Sequence, residues 1–395
     1  MPDILGNILL YAGSFVLVLS VVVFVHEFGH FQVARWRGVA IDTFSIGFGK
    51  TLLGWRDKQG VQWKVGALPL GGYVKFADDA DAMSSAPREK IDDPAALAEA
   101  RARGLFHAQP LITRAMVVAA GPLTNFVFSI IAFGLIAMIM GRDATDMTQI
   151  PARIDMVAEG SAAAAAGLRR GDVIQSANGQ PINSFIDLQT IVAASPEQAL
   201  VLGVEREGAR INVEATPTRN GDRGLLGVSP LVLPEERVIE RFGPLTALSV
   251  GAANTWNIVA QTGAYIGAIF AGRESGDQIA GPLGIINVSG QVASSALNGG
   301  GGDDGGIGGR LGILALSLLS LAAVLSVAVG IVNLLPIPIL DGGHLLFYAI
   351  EGVRGGKPLP AMAQEWAYRA GFAVMAGLFL FATWNDITRL LPGAQ

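Results

Sequence analysis

Four uncharged apolar runs restrict the fold of this chain more than any other feature: Ile4 to Val25, Ala115 to Met140, Leu311 to Leu340 and Ala370 to Trp384. A helix needs ~20 mostly apolar residues to cross the hydrocarbon core, because each backbone N–H and C=O must be satisfied within the segment. The first three runs are long enough alone, whereas the fourth, bounded by Arg369 and Asp386, must draw on its flanks. The first lacks the basic flank and small-residue cleavage site of a signal peptide and is expected to persist in the mature chain. Composition agrees: charged residues make up 15% of the 395 and mean hydropathy is +0.46, too apolar for an ordinary soluble protein. The expectation is a polytopic α-helical membrane protein with about four transmembrane helices. A net charge of -5 without a long basic run argues against a nucleic-acid partner.

Basic residues recur from Arg35 to Arg103, between the first two runs, while none precedes the first. By the positive-inside rule that region is cytoplasmic, so the first span runs inward and the second returns. The stretch from Phe242 to Gly272 is also uncharged, but Thr246, Ser249, Asn254, Asn257 and Gln261 dilute it and its apolar residues keep helical spacing. It reads as an amphipathic helix on the membrane surface, which leaves the third span running inward. Asp341, at that span's end, then meets the inner end of the first.

With no cysteine, a metal site must rely on His, Asp or Glu, and the histidines are only His26, His30, His107 and His344. Two of them sit in His26-Glu27-Phe28-Gly29-His30. On a helix, residues four apart share a face, so both imidazoles can reach one ion while Glu27 takes a proton from the water it activates. The motif closes an apolar span, where ionisable groups are costly and usually functional. Asp341 is the candidate third ligand, after a segment in which Pro336 and Pro338 break regular helix. The bland alternative makes it a helix exit to water. His344 ranks second as a ligand, because zinc needs an open position for catalysis. His107, in a polar stretch, reads as an exposed side chain.

The segments HEFGH at 26–30, GPLTN at 121–125 and NLLPIPILDG at 333–342, in that order, resemble the bacterial site-2 proteases of the regulator-of-sigma-E type over essentially the whole chain. The resemblance implies an intramembrane zinc metalloprotease with Zn2+ held by His26, His30 and Asp341 and Glu27 as general base. It also implies that Asn333, and less directly Asn125, sit near the scissile peptide; helix packing with Gly121 is an equal reading of Asn125. Its implied partners are the lipid bilayer and single-span membrane proteins, either anti-sigma factors already trimmed outside the membrane or remnant signal peptides. The implied location is the bacterial cell inner membrane, with the active site toward the cytoplasm.

Gly160 to Ile174 followed by Asn178-Gly179 is similar to a PDZ domain, expected over 150–233 and outside the cytoplasm, with room for one. In the cytoplasmic region, alternation at Val61 to Val65 and the glycines near Gly71 suggest a small sheet, which the family carries as a membrane-associated β-hairpin. An exposed edge there could add substrate as a strand, or the sheet could merely cover the site. The expected divisions are a first transmembrane helix at 1–35, a cytoplasmic region at 36–110, a second helix at 111–141, the PDZ domain at 150–233, the surface helix at 240–272, a third span at 311–345 and a fourth at 366–391. The glycine run 299–309 reads as a flexible linker. The rival reading is a PDZ membrane scaffold that does no catalysis; it would have been favoured by loss of Glu27 or Asp341, and both are present.

Overall fold

The computed structural model describes residues 2–77, 91, 93–277, 279–298 and 306–390. The chain divides into two compact units, 1–138 with 243–395, and 139–242. The first unit begins with α1 (Pro2–Trp36), a 35-residue helix whose C-terminal half carries the HExxH motif. Two long strands follow, β1 (Ile41–Arg56) and β2 (Gln62–Phe76), then α2 (Pro94–Ala102), which Asp93 caps, and α3 (Leu111–Met140).

β1 and β2 bend into a sheet of four short stretches. Thr43 to Ile46 lies in the middle, paired on one side with Gly72 to Lys75 and on the other with Gln62 to Val65. Thr51 to Arg56 then pairs with Gln62 to Gly66. The 72–76 stretch therefore keeps one edge without a strand partner among the described residues. The sheet is fastened to α1 by aromatics: Phe31 and Phe44 are fully buried, their rings 5.3 Å apart, and Trp63 lies 4.4 Å from Phe44. Burial of each such ring stabilises by ~1.5–3 kcal/mol, ample to hold the sheet against the helix.

The second unit is mostly β. In chain order its elements are β3 (Arg142–Asp143), β4 (Ile154–Val157), α4 (Ala162–Ala165), β5 (Val173–Ala177), β6 (Gln180–Pro181), α5 (Phe185–Ala193), β7 (Leu200–Arg206), β8 (Ala209–Ala215), β9 (Thr218–Asn220), β10 (Arg223–Leu225), β11 (Val228–Pro230) and β12 (Ile239–Glu240). The main sheet has the order β6-β5-β7-β8, and β4 pairs with β11. Asn178-Gly179 turns β5 into β6 with positive φ at both residues, as a type I′ turn requires. Glu207-Gly208 does the same between β7 and β8, a turn the sequence reading missed. Ser184 and Asp187 form a capping box at the start of α5. One apolar core, including Ile154, Ile174, Leu188, Leu200 and Leu202, joins these elements.

The first unit resumes with α6 (Pro244–Phe270), α7 (Pro282–Asn298), α8 (Gly306–Leu334), α9 (Asp341–Val353) and α10 (Ala361–Leu390). Among the described residues, four helical segments are long and apolar enough to cross a membrane: Gly6–Trp36, Leu111–Met140, Ile307–Leu334 and Ala361–Arg389. α6 is not among them. The stretch expected as one span at 311–345 is two helices separated by 335–340, where Pro336 and Pro338 withhold backbone donors, and Asp341 opens the second. Of the expected linker, 299–305 lie outside the described residues and 306–309 form the first turn of α8. At the far end of α10, the buried Asp386 accepts from the amides of Gly281 and Gly284, at 3.0 and 2.9 Å, and so caps α7.

Polar groups stitch α3 to α8. Ser129 Oγ donates to the carbonyls of Asn125 and Ala323, and Ser326 Oγ donates to the Asn125 carbonyl from the other helix. With no competing water in a bilayer, small residues and such bonds replace the hydrophobic effect as the source of helix association.

Candidate metal centre

α1 presents His26 and His30 on one face, one turn apart, with ring centroids 4.9 Å apart and Nε2 atoms 3.2 Å apart. The break at 335–340 delivers Asp341 to the same point: its Oδ2 lies 3.1 Å from His26 Nε2 and 3.5 Å from His30 Nε2. Among the described residues these three are the one group of His, Asp and Glu whose donor atoms converge closely enough for an ion. The C-terminal half of α1 and the segment that follows α8 therefore lie together.

The donor set can be tested without an ion. Asp341 Oδ2 is buried and makes no hydrogen bond, although two imidazole nitrogens are within ion-pair distance. His30 directs Nδ1 at the Val117 carbonyl, 2.9 Å away. A carbonyl only accepts, so Nδ1 carries a hydrogen, and the neutral ring then turns the Nε2 lone pair toward the carboxylate. Lone pairs of neutral imidazoles and a carboxylate that face one another repel unless a proton or a metal ion sits among them. Two imidazoles and one carboxylate, with no sulfur, fit zinc and leave a coordination position for water.

Close packing makes this convergence possible. A Cβ at Gly121 of α3 would lie 2.3 Å from His30 Nε2 and 2.9 Å from His26 Cε1, so any side chain there would displace the rings. Glu27 is half-buried beside the pair, and the backbone of Gly72 on the open sheet edge presses against it; a Cβ at Gly72 would lie 2.9 Å from Glu27 Cγ. A cavity of about 570 Å³ opens here, lined by Glu27, Gly72, Asn333, Asp341, His344 and Tyr368 among others.

Asn333 is half-buried and faces the cavity. Asn125 is fully buried with its side-chain amide 3.1 Å from His26 Nδ1, so it touches a histidine of the motif rather than lining the cavity. His344 is outside the converging group, its ring 5.9 Å from Tyr368. His107 is half-buried and lines the cavity, in contrast to the exposed side chain expected from its polar surroundings; a short turn at Phe106–Ala108 folds it inward.

The sequence reading missed Arg114 and Glu351. Their side chains pair at 2.6 and 3.2 Å, mostly buried, with the guanidinium 4.9 Å over the Tyr348 ring. The pair ties the start of α3 to the end of α9, the helix that opens with Asp341. A charge at each end of an apolar run was the available signal, but nothing local links positions so far apart.

The family description Peptidase family M50 matches residues 14–378. A Rhizobium meliloti protein named as a zinc metalloprotease is 40% identical over 399 residues, covering 99% of this chain and 100% of its own. The metalloprotease MmpA of Caulobacter vibrioides is 40% identical over 391 residues, covering 95% of each chain. The regulator of sigma-E protease RseP of Escherichia coli is 28% identical over 475 residues, covering 96% of this chain and 98% of its own. With a match over most of its length and a histidine–carboxylate cluster suited to zinc, the chain belongs to Peptidase family M50 and is a membrane-embedded zinc metalloprotease.

Proposed function

We propose that this protein hydrolyses a peptide bond within or beside the membrane segment of single-span proteins, in regulated intramembrane proteolysis at the bacterial inner membrane. One observation carries the reading: two imidazoles and Glu27 lie on an apolar, membrane-length helix, and they meet a carboxylate that follows another. His26, His30 and Asp341 would hold the metal. Bound zinc supplies Lewis-acid polarisation of the scissile carbonyl and lowers the pKa of water at the site. Glu27 takes the proton of the attacking water and passes it to the leaving amine, while Asn333 offers its amide to the peptide being cut.

A peptide bond inside a helix is shielded by its own hydrogen bonds, so the substrate must be extended. The open edge at 72–76 provides main-chain donors and acceptors for an added strand, and Gly72 beside Glu27 brings that strand to the reacting group. Leu52, Leu53, Trp55 and Leu68 are exposed on the same sheet, which suits a hairpin dipped into lipid. The active site would face the cytoplasm.

Residues 150–233 act as a PDZ domain outside the cytoplasm in this reading, supported by the Asn178-Gly179 turn, the capped α5 and the short β11 after Gly227. The domain excludes substrates with bulky outer parts or holds a newly exposed C-terminus. The substrate classes in this reading are those that the resemblance of the HEFGH, GPLTN and NLLPIPILDG segments implies, trimmed anti-sigma factors and remnant signal peptides. The testing experiment is cleavage of a tagged single-span substrate by the purified protein in detergent, with zinc quantified in wild type, Glu27→Gln and Asp341→Asn. Glu27→Gln should keep zinc and lose cleavage, and Asp341→Asn should lose both. Cleavage by Glu27→Gln would sink the mechanism.

A further inference from the structure

His26 and His30 are held in different ways. His30 gives its Nδ1 hydrogen to a main-chain carbonyl, that of Val117. His26 points Nε2 at the same place as His30, 3.1 Å from Asp341 Oδ2, and its Nδ1 faces only the side-chain amide of Asn125 at 3.1 Å. An imidazole that ligates through Nε2 carries its hydrogen on Nδ1 and needs an acceptor there. The amide atom at that position is Nδ2, a donor, while Oδ1 is buried with no hydrogen-bond partner. A half-turn of the amide exchanges the two atoms at almost no cost in shape. One amide atom stays unpaired in either orientation, and the ligating tautomer of His26 decides which.

We propose that Asn125 is a positioning residue for His26: its side-chain oxygen accepts the Nδ1 hydrogen and so holds the ring in the tautomer and rotamer that aim Nε2 at the metal. The proposal rests on His26 being a ligand. Asn125 is suited to the task because its place is fixed: it is fully buried, and its backbone carbonyl accepts from Ser129 of α3 and Ser326 of α8. The residue therefore joins three helices at one point, with α1 engaged through a metal ligand and α8 through the serine that precedes Asn333 by two turns. Partners of this kind are worth ~10–100-fold in metal affinity. This assigns to the last residue of the GPLTN segment a role on the metal side of the site rather than on the substrate.

The test is zinc affinity of the full-length protein in detergent, measured by competition with a chromophoric chelator for wild type, Asn125→Leu, Asn125→Asp and His26→Ala. Asn125→Leu fills the space without an acceptor and should weaken zinc binding ~10–100-fold, whereas Asn125→Asp keeps an acceptor oxygen and should stay within about threefold of wild type. Thermal unfolding of the metal-free proteins separates this from a folding defect; if Asn125→Leu does not fold, Asn125→Ala takes its place against Asn125→Asp. Equal affinity for wild type and the variant lacking an acceptor would overturn the proposal, as would Asn125→Asp falling as far as that variant. Lost cleavage with unchanged zinc affinity would also overturn it, in favour of a substrate contact. His26→Ala should lose zinc outright; if it does not, the ligand assignment itself fails, and that failure is distinct from one confined to Asn125.

Discussion

Asp172 is buried and Asp341 half-buried, each beside a glycine, and their oxygens are treated in opposite ways. Asp172, in the β-rich unit, accepts from the Arg169 amide at 2.8 Å and from Arg206 through two bonds of 2.7 Å, one to each oxygen. Asp341 has a buried oxygen with no hydrogen bond, although two imidazole nitrogens lie within 3.5 Å. A carboxylate whose lone pairs are filled by the chain's own donors belongs to the fold. One left facing other lone pairs is completed from outside, and the difference between the two is the difference between a structural ion pair and a metal site.

The comparison can be broken by exchanging the losses. Asp341→Asn should reduce cleavage by ~10³-fold or more, since several kcal/mol of transition-state stabilisation are withdrawn with the metal, while unfolding of the metal-free protein is little changed. Gly121→Ala comes next: a methyl group where the two rings nest should lower zinc affinity by ~10²-fold without unfolding the helices, read by chelator competition. Asp172→Ala should do the reverse, leaving zinc content intact while lowering hydrogen-exchange protection of the 150–233 backbone, because the Arg169 amide and Arg206 lose their shared acceptor. The smallest effect is expected for Ser326→Ala. It removes one of two donors to the Asn125 carbonyl and should cost ~0.6 kcal/mol in thermal or detergent unfolding.

Acid sharpens the contrast further. Burial alone would raise the Asp172 carboxyl, but the hydrogen bonds from Arg206 and Arg169 outweigh it and hold the group below the ordinary carboxylate range. A depressed native pKa adds stability above the unfolded value of ~3.9, and that stability is lost as pH falls through the native one. Exchange protection in 150–233 should therefore not depend on Asp172 protonation from neutral pH to about 5, and should decline below about 4. Asp172→Ala should flatten that decline; an unchanged acid profile would mean other groups govern it.

Much of this protein is legible locally. Charge-free runs mark the helices that α1, α3, α8 and α10 become, HEFGH places two imidazoles one turn apart, and Asn178-Gly179 specifies a turn. These features depend on residues within a turn or two of one another, so period and composition reveal them. The broken helix after Leu334 was suggested by its prolines, but the separate α9 starting at Asp341 was not. Nor was the inward fold of His107, the curled pairing of β1 on both sides with β2, or the Arg114–Glu351 pair.

By itself the sequence determined that this chain enters membranes and carries a zinc-protease motif, because apolar length and helical spacing are properties of contiguous segments. The tertiary structure alone decided which oxygen faces the histidines, which glycine makes room for them and which groups take their other ring nitrogens. Val117 and Asn125 lie 87 and 99 residues from the imidazoles they meet. Contacts of that separation exist only once α1, α3 and α8 have packed, and hydrogen-bond direction, unlike hydrophobic period, leaves no trace in the order of residues.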